Sequence, residues 1–435
     1  MSDDDFLEDD DEQDTAGHYF QSDAQLSEAD RKAAKKAGIG KTAGNVIKLD
    51  SKINAIIADV DDESCIFVAE STGQVRRVNL VNGAKDHIFR GPAGVFGCLA
   101  YAPSGITKGD PVLFAGHWNG GIYSWSVRSR KLIRTYSGHA EDKAVTALGV
   151  KALRPVERNL LISGAKDNKI VIWDIGSGSI LQSLTNHTRG VLSLAVGTIL
   201  DHGREAFRFF SADSLREIRV WRYKASIPAS ESQQEPTKGA TSVAEECTIS
   251  DAHETSINAL HLSTTWSDDK QQVDHLWTAS TDKTAKCLEM TYSPEPSKED
   301  DGVGEYRAHK VSQLLQHPSY VRAIAVDTEN GLVITGCEDE ELRVWDEETG
   351  ELVHTYSGHF EPVTDLVVLP WRNEVVSVSF DMTIRRWSLD RNVMQKLKEE
   401  AKKKPDAAAQ PKKTGPALTA EEEAELAELM DDDDD

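Results

Sequence analysis

The chain contains 435 residues, of which 39 % are hydrophobic and 28 % are charged, a composition that can bury a large core. It has no run of about 18 apolar residues, so the sequence predicts no membrane-spanning helix. The formal net charge of −24 disfavours direct contact with nucleic-acid phosphates and favours basic protein partners.

The five cysteines lie far apart and show no metal-ligand spacing, so we expect buried free thiols in a reducing compartment, without a metal or a cofactor. The first residues are acidic and lack the basic flank and apolar stretch of a secretory signal. These two features predict a protein of the nucleus or the cytosol.

Residues 1–43 carry twelve acidic and five basic side chains and few aromatic ones. Such a segment buries too little apolar surface to offset the entropy lost on ordering, so we expect an acidic disordered tail. Phe6 and Leu7 interrupt the acidic run and suggest a short docking peptide.

Short β-type segments recur through residues 44–390 with a spacing of about 40 residues. Apolar and polar residues alternate in some of them, as in LRVW (342–345), and several end in Trp, as in IVIW (170–173) and IRRW (384–387). One further segment precedes each of these and two follow it, so a unit supplies four strands. Four-stranded sheets repeated in this way bury their faces by stacking around an axis, which predicts an all-β propeller.

Seven units are predicted, and their innermost strands begin near Ile53, Val95, Val145, Val191, Ile257, Val321 and Val363. The seventh unit lacks a fourth strand, because lysine-rich sequence follows its third. The segment NVIKLD (45–50) stands before the first inner strand without a unit of its own. We expect it to fill the outer position of the seventh blade and close the ring, which removes exposed strand edges.

Two insertions, 224–245 and 291–306, fall between the third and fourth strands of units four and five. Their proline, serine, glycine and charged residues predict loops on neighbouring blades.

Residues 391–435 carry thirteen acidic and eight basic side chains, and we expect a second charged disordered tail. Its lysine-rich stretch KLKEEAKKK (396–404) is either a nuclear import signal or a solvated helix face. Thr419 and Glu422 form a capping box before apolar residues at helical spacing, which predicts a short helix near 419–430. That helix either folds on a partner or belongs to a solvated acidic tail.

Gly-His dipeptides at 138–139 and 358–359 and Trp-Asp pairs at 173–174 and 345–346 accompany the repeated unit. In these features the chain resembles the WD-repeat (WD40-type) β-propeller family over residues 44–390. The resemblance implies a seven-bladed β-propeller of four-stranded antiparallel blades that binds other proteins.

A histidine, a hydroxyl residue, an aspartate and a tryptophan recur in fixed order in three units. The three quartets are His139, Ser163, Asp167 and Trp173, then His317, Thr335, Asp339 and Trp345, then His359, Ser377, Asp381 and Trp387. A Ser–His–Asp set also has the composition of a catalytic triad. Copies at repeat spacing fit structure better than three active sites, and the resemblance implies a buried hydrogen-bond chain in each blade. We therefore expect no catalytic residue.

Two other units keep part of this pattern. Unit four has His187, Ser211 and Trp221, with its acid displaced to Asp213. Unit five has His253, Thr278 and Asp282, with Leu288 in the tryptophan position.

The resemblance implies that the turns after the second strands and the turns that carry the histidines share the narrow face of the ring. The side chains on these turns that we expect to bind a partner are Trp118, Tyr320, Glu338, Glu340, Glu341, Phe360, Glu361 and Phe380. Carboxylates beside aromatic rings hold Arg or Lys through charge-assisted hydrogen bonds and cation–π contact. The turns of units two to four instead carry Lys143, Lys166, Arg189 and Arg216, which predicts an acidic and a basic sector. The alternative is a solvated charged rim.

These features predict a non-enzymatic scaffold, a monomeric ring that recruits basic protein segments into a larger hetero-complex. Ribosome assembly and chromatin are settings with such clients. A substrate receptor of a ubiquitin ligase is the alternative, although no Trp-Asp-x-Arg element ends a repeat intact. A hydrolase is less favoured than either, because every candidate triad repeats with the blades.

Overall fold

The computed structural model describes residues 44–107, 109–153, 158–201, 204–224, 242–266, 272–292 and 306–403. The N-terminal tail, most of the C-terminal tail with its predicted helix near 419–430, and the centres of both insertions lie outside the described residues. The chain divides into two compact units. Residues 35–395 contain all seven blades, and residues 1–34 with 396–435 form the other unit, of which only 396–403 are described, as the end of a helix.

The described residues form twenty-eight strands. In chain order they are β1 (Ile47–Lys48), β2 (Ile53–Ala58), β3 (Cys65–Glu70), β4 (Gln74–Asn79), β5 (Lys85–Arg90), β6 (Phe96–Ala102), β7 (Val112–His117), β8 (Gly121–Ser126), β9 (Leu132–Ser137), β10 (Val145–Leu153), β11 (Arg158–Ala165), β12 (Ile170–Asp174), β13 (Ile180–Leu184), β14 (Val191–Asp201), β15 (Arg204–Asp213), β16 (Ile218–Lys224), β17 (Ser242–Ile249), β18 (Ile257–Trp266), β19 (Gln272–Ser280), β20 (Thr284–Tyr292), β21 (Tyr306–Gln316), β22 (Val321–Asp327), β23 (Leu332–Cys337), β24 (Glu341–Asp346), β25 (Leu352–Ser357), β26 (Val363–Leu369), β27 (Glu374–Ser379) and β28 (Thr383–Ser388).

These strands pair into seven antiparallel sheets of four strands, so the predicted seven-bladed propeller is confirmed. Blades one to six take consecutive strands from β2 to β25, and blade seven takes β26, β27, β28 and β1. The inner strands begin at the predicted residues, except that β6 begins at Phe96 instead of Val95. The two loops are shorter than predicted, because β17 starts at Ser242 and β20 continues to Tyr292.

Strand β1 is the outer strand of the seventh blade. Ile47 lies opposite Ile384, and Lys48 lies opposite Thr383. Just before β1, the carbonyl of Gly44 accepts a 2.6 Å hydrogen bond from the backbone NH of Arg386. Gly44 has a φ of +77°, and a Cβ there would lie 2.8 Å from the Trp387 ring, so glycine is required. The two ends of the repeat region therefore meet in one sheet.

The core is distributed between the blades. Buried apolar residues of the described chain form seven clusters, one at each junction between neighbouring blades. Successive side chains of a strand point to opposite faces, so a single strand supplies two clusters. On β12, Ile170 and Ile172 pack toward blade four, whereas Val171 and Trp173 pack toward blade two. Each blade is thus held by both of its neighbours.

Helical segments are few in the described residues: α1 (Ser104–Thr107), a 3-10 turn (Pro370–Arg372) and α2 (Arg391–Lys403). The expectation of disorder from residue 391 is wrong for α2. Asp390 caps the helix by accepting a 2.7 Å hydrogen bond from the backbone NH of Asn392. Met394 is only 1 % exposed and belongs to the cluster between blades six and seven. The cap and this buried methionine explain why a charge-rich segment is helical here.

Candidate functional site

The quartet of blade three forms a continuous hydrogen-bond chain. The indole NH of Trp173 donates to Ser163 Oγ over 2.9 Å, and Ser163 Oγ lies 2.8 Å from His139 Nε2. His139 Nδ1 lies 3.1 Å from the Asp167 carboxylate, which also accepts the backbone NH of Ala140. This hydrogen-bond chain joins the turn before the first strand of the blade to its second and third strands.

Blade seven repeats this geometry. Trp387 donates to Ser377 Oγ over 2.9 Å, Ser377 Oγ lies 2.8 Å from His359 Nε2, and His359 Nδ1 lies 3.0 Å from Asp381. Burial alone would raise the pKa of Asp381, but the hydrogen bond and charge of His359 and further hydrogen bonds outweigh it and lower that pKa to about 2. The Asp381 carboxylate is therefore charged and tightly held at neutral pH.

Blades four and five hold the same chain with altered members. In blade four, Asp213 lies 3.2 Å from His187 Nδ1, and Trp221 donates to Ser211 Oγ over 2.7 Å. In blade five, His253 lies 2.7 Å from Thr278 Oγ1 and 2.8 Å from Asp282. Leu288 takes the tryptophan position there and is fully buried.

Blade six departs from the predicted quartet. His317 Nε2 lies 2.9 Å from Thr335 Oγ1, and Trp345 donates to the same oxygen over 3.0 Å. However, His317 Nδ1 lies 3.1 Å from the backbone carbonyl of Leu315, and Asp339 forms a 2.7 Å ion pair with Arg343. The expected histidine–aspartate link is thus replaced by a histidine–backbone contact and a separate ion pair.

The hydroxyls of these sets are poorly placed for nucleophilic catalysis. Ser163, Thr335 and Ser377 each have 0 % exposure. A nucleophile must reach the reacting atom of a substrate, and these side chains are instead enclosed between strands. The geometry is that of a polar brace within each of blades three to seven.

The seven blades present equivalent turns on one face, which we call the narrow face. In each blade a backbone NH of the turn after the second strand donates to the carbonyl just before the first strand, over 2.9–3.3 Å. The donor–acceptor pairs are Ser71–Lys52, Trp118–Val95, Lys166–Ala144, Ser214–Gly190, Thr281–Ser256, Glu338–Tyr320 and Phe380–Pro362. The predicted partner-binding residues lie on or beside these turns.

The carboxylates of the acidic sector are engaged within the ring. Glu338 forms an ion pair with Arg322, and Glu341 lies 3.0 Å from Arg343. Glu340 is only 5 % exposed, so the expectation that it contributes to an accessible surface must be corrected. Glu361 is exposed and remains accessible to a partner.

The aromatic rings of this sector also have cations of the same chain beside them. Lys52 Nζ lies 5.7 Å and Arg322 Cζ lies 5.8 Å from the centre of the Phe380 ring. Arg385 Cζ lies 5.8 Å from the centre of the Phe360 ring. Tyr320, by contrast, is 46 % exposed. Much of the predicted cation-binding surface is therefore occupied by the protein's own arginines and lysine.

The basic sector consists of Lys143, Lys166, Arg189 and Arg216, all of which are exposed. Lys166 Nζ lies 5.9 Å from the centre of the Trp118 ring on the neighbouring blade. The backbone of Lys166 lies against Gly190, whose carbonyl accepts the NH of Ser214, so the cationic turns are contiguous.

Two features set the basic sector apart from the acidic one. None of its four cations forms an ion pair with an acidic residue of the described chain. Two large apolar side chains stand exposed among them, Trp118 at 53 % and Leu215 at 48 %. Glu141 and Asp142, on the same turn as Lys143, line a separate cleft with Asn119 and Tyr123.

Comparison with known proteins agrees with this geometry. The sequence profile of the family described as "WD domain, G-beta repeat" matches residues 130–174, 308–346 and 350–388, which contain the three predicted quartets. A WD repeat-containing protein of Schizosaccharomyces pombe is 28 % identical over 425 residues, covering 95 % of this chain and 98 % of that protein. The chain contains WD repeats and folds as a seven-bladed β-propeller.

More distant relatives share only part of the WD-repeat propeller. The periodic tryptophan protein 2 homolog of Mus musculus is 36 % identical over 17 % of this chain and 8 % of its own length. A probable E3 ubiquitin ligase complex SCF subunit, sconB of Arthroderma otae, is 37 % identical over 14 % of this chain and 9 % of its own length. WD-repeat propellers are generally protein-interaction scaffolds and are typically not enzymes.

In the central channel of this WD-repeat propeller, side-chain hydrogen bonds join the inner strands of neighbouring blades, and these hydrogen bonds were not predicted from the sequence. Asn54, Asn258 and Thr364 donate to the first carbonyl of the next blade over 3.0, 2.8 and 2.9 Å. Asp365 accepts the backbone NH of Ile56 over 3.0 Å, and burial raises its pKa to about 6. The recurrence of Asn or Thr as the second residue of an inner strand was the available signal.

One group of described residues has ligand atoms close enough for a metal ion, namely His187, Asp213 and Glu217. Asp213 already faces His187 and accepts the backbone NH groups of Leu215 and Glu217. Glu217 also forms a 3.0 Å ion pair with Arg219. These atoms belong to the hydrogen-bonded set that braces blade four.

No helix among the described residues is long and apolar enough to cross a membrane.

Proposed function

We propose that this WD-repeat propeller is a non-enzymatic scaffold of the nucleus or cytosol whose narrow face binds protein segments. The observation that carries the proposal is the basic sector, a contiguous set of four exposed cations without ion-pair partners in the described chain. An unpaired charged patch around exposed aromatic and aliphatic side chains is typical of a binding site.

The chemistry of the basic sector favours an acidic segment that contains a large apolar residue. Lys143, Lys166, Arg189 and Arg216 would pair with its carboxylates, and Trp118 would supply the apolar anchor. Because the chain has a net charge of −24, this basic patch is exceptional on it. The patch strongly attracts negatively charged groups in its vicinity.

Basic segments are proposed to bind elsewhere on the protein. Residues 1–43 have an excess of seven acidic side chains and residues 391–435 an excess of five. Acidic segments attract basic proteins at long range, and this attraction is weakened by salt. The scaffold would then bring an acidic partner and a basic partner together as one ring in a hetero-complex.

Ribosome assembly and chromatin are the settings that we propose, because both contain basic proteins that an acidic scaffold can hold. Affinity purification of the full chain should then recover ribosomal precursors or histones. Recovery of cullin adaptors instead would favour the alternative of a ubiquitin-ligase substrate receptor.

Reversal of two charges in the basic sector tests the narrow-face proposal. We expect the double variant Lys166→Glu with Arg216→Glu to bind a fluorescent Glu-Asp-Glu-Phe-Glu-Asp-Glu peptide at least about tenfold more weakly than the unchanged chain. Fluorescence anisotropy at low and high salt provides the measurement, and added salt should reduce the difference between the two proteins.

The matched control reverses two charges of the acidic sector, Glu338→Lys with Glu361→Lys, and should bind the acidic peptide no more weakly than the unchanged chain. Equal affinity of the Lys166 and Arg216 variant and the unchanged chain would contradict the proposal. If a basic peptide binds the unchanged chain and loses affinity only in the control, the acidic sector is the binding site instead.

A further inference from the structure

The turn between the third and fourth strands of blade two holds an arginine where other blades have glycine, on the face opposite the narrow face. In blades one, two, three and six, a backbone NH of this turn donates to the carbonyl four residues earlier, over 2.7–3.0 Å. The donors are Gly83, Arg130, Gly178 and Gly350. All four have a positive φ, which is +63° for Arg130 and between +69° and +75° for the three glycines. The four turns thus share one backbone geometry.

The fold does not require an arginine at this position. A left-handed backbone brings Cβ close to the following carbonyl oxygen, so residues with a side chain adopt it at a cost, whereas glycine adopts it freely. Three equivalent turns use glycine in the same geometry. Side chains held in such a backbone conformation cluster at functional sites. Because the Arg130 side chain is exposed, its charge is the property that needs an explanation.

Three exposed cations stand together on this turn, namely Arg128, Arg130 and Lys131. None of them forms an ion pair with an acidic residue in the part of the chain that the structure describes. Because the chain has a net charge of −24, three cations within four residues are a local exception. Such a turn attracts negatively charged groups.

The acidic side chains nearest to Arg128 are already bound by other groups. The Asp110 carboxylate accepts the backbone NH of Arg128 over 3.2 Å and a serine hydroxyl of the same turn. Asp61, on which the charge of Arg128 acts, accepts the hydroxyls of Ser104 over 2.6 Å and Tyr101 over 2.7 Å. The Arg128 guanidinium therefore remains accessible to the carboxylate of a partner.

The strand that follows the turn, β9, adds two exposed aliphatic side chains. In six blades the outer strand has one extra residue opposite the third strand, and these bulge residues are Asp86, Ile133, Leu181, Glu246, Ser312 and Val353. Five of them contact the ring: two pack on core clusters, two form ion pairs with arginines, and one donates to a backbone carbonyl. Ile133 belongs to none of the core clusters and is 51 % exposed, and Leu132 beside it is 52 % exposed. Ile133 thus lacks the contact that its counterparts make within the ring.

We propose that Arg128, Arg130, Lys131, Leu132 and Ile133 form a second binding surface, the blade-two rim, which holds an acidic segment of a protein partner. The carboxylates of the segment pair with the three cations, and one aliphatic side chain of the segment packs on Leu132 and Ile133.

The composition of the blade-two rim favours a protein over a nucleic acid. Leucine and isoleucine offer no flat ring on which a base could stack, and the net charge of −24 repels a phosphate backbone. The blade-two rim lies at the other end of the blades from the basic sector. The proposal therefore goes beyond the function proposed above, since the ring would hold acidic segments on both of its faces.

Fluorescence anisotropy at low salt tests the proposal with the labelled peptide Glu-Asp-Glu-Leu-Glu-Asp-Glu. The parent protein is the full chain that carries Lys166→Glu and Arg216→Glu, so that the basic sector does not contribute to binding. Added to this parent, Arg128→Glu with Lys131→Glu should weaken binding at least about tenfold. Ile133→Ser should weaken it about threefold, and so should serine in place of the leucine of the peptide.

Arg130→Gly separates binding from folding, because it introduces the residue that the equivalent turns contain. We expect its urea unfolding midpoint to equal or exceed that of the parent, while its affinity for the peptide falls about threefold. The matched control is Lys283→Gly, which also replaces an exposed cation of positive φ, +68°, but on the narrow face of blade five. This control should change the affinity less than about twofold.

Three results would overturn the proposal. The first is an affinity that the charge reversal or Ile133→Ser leaves unchanged. The second is an equal loss in Lys283→Gly and Arg130→Gly, which would mean that general charge attraction accounts for binding. The third is tighter binding of single-stranded oligothymidylate than of the peptide, lost in the same variants, which would assign the surface to nucleic acid. Because the parent lacks two cations of the basic sector, the outcome is independent of the narrow-face proposal.

Discussion

Deletion of residues 44–50 is expected to lower the free energy of unfolding of the ring by about 5 kcal/mol, because the deletion removes β1 from blade seven. Leu49 is 1 % exposed and packs between blades seven and one, and burial of such a side chain contributes about 2–3 kcal/mol. Its NH donates to the carbonyl of Met382 over 2.8 Å, and the pairing of β1 with β28 adds further hydrogen bonds worth about 1 kcal/mol each.

Urea unfolding followed by tryptophan fluorescence measures this loss. A Leu49→Ala variant should lose about 2–4 kcal/mol, as large-to-small core substitutions do. The matched control is Lys48→Ala in the same strand, whose side chain is exposed and whose change should cost less than about 0.5 kcal/mol. An unchanged unfolding midpoint after deletion of the whole segment would show that the ring does not depend on β1.

The ring was predictable because its determinants are local in sequence and repeated. Alternating apolar residues before a terminal Trp indicate a strand, and their recurrence shows that no unit can bury its faces alone. Closure of the ring by β1 was predicted by counting strands, because the seventh unit lacked its fourth strand and one segment before the first unit belonged to no unit. Helix α2 was predicted only in part: a solvated helix face over 396–404 was one of two alternatives, but the start at Arg391 depends on one buried methionine and one capping aspartate that the charge-rich sequence does not reveal.

The altered quartet of blade six has a cause that the sequence also contains. In blades three, five and seven the residue after the histidine donates its backbone NH to the aspartate; the donors are Ala140, Glu254 and Phe360. In blade six that residue is Pro318, which has no NH to donate. Asp339 pairs with Arg343 instead. The spacing of the four residues in the quartet does not reveal this difference. The absence of a backbone NH after the histidine does.

The narrow face contains side-chain contacts that could not be predicted from the sequence. The predicted acidic sector was inferred from residues on turns, but the cations that engage it, Arg322, Arg343 and Arg385, come from strands. Which strand residue reaches which turn depends on pairing between segments distant in sequence. In the described chain no side chain of opposite charge pairs with the cations of the basic sector in this way, so these charges remain exposed to a partner.

Replacement of Asp381 by Asn is expected to destabilise the ring by about 2 kcal/mol at pH 7 and by much less at pH 2. The pKa of Asp381 is lowered from 3.8 to about 2 in the folded protein. A carboxyl with a lowered folded-state pKa contributes its full stabilisation above the unfolded-state value, and this contribution is lost as the pH falls through the folded-state value. Burial opposes the shift, and the hydrogen bonds from His359 and the backbone NH of Phe360 produce it.

Urea unfolding of both proteins between pH 7 and pH 2 gives the difference at each pH. The control Asp142→Asn changes an exposed aspartate with a positive φ that asparagine tolerates, and it should leave stability unchanged throughout. The pKa values of Asp167, Asp213 and Asp282 are also lowered, so the unchanged ring should lose stability steeply below pH 4. A difference between Asp381→Asn and the unchanged chain that stays constant with pH would mean that shape, and not charge, makes this aspartate necessary. Convergence at low pH would instead show that the ionised aspartate holds His359 in place and so braces the blade.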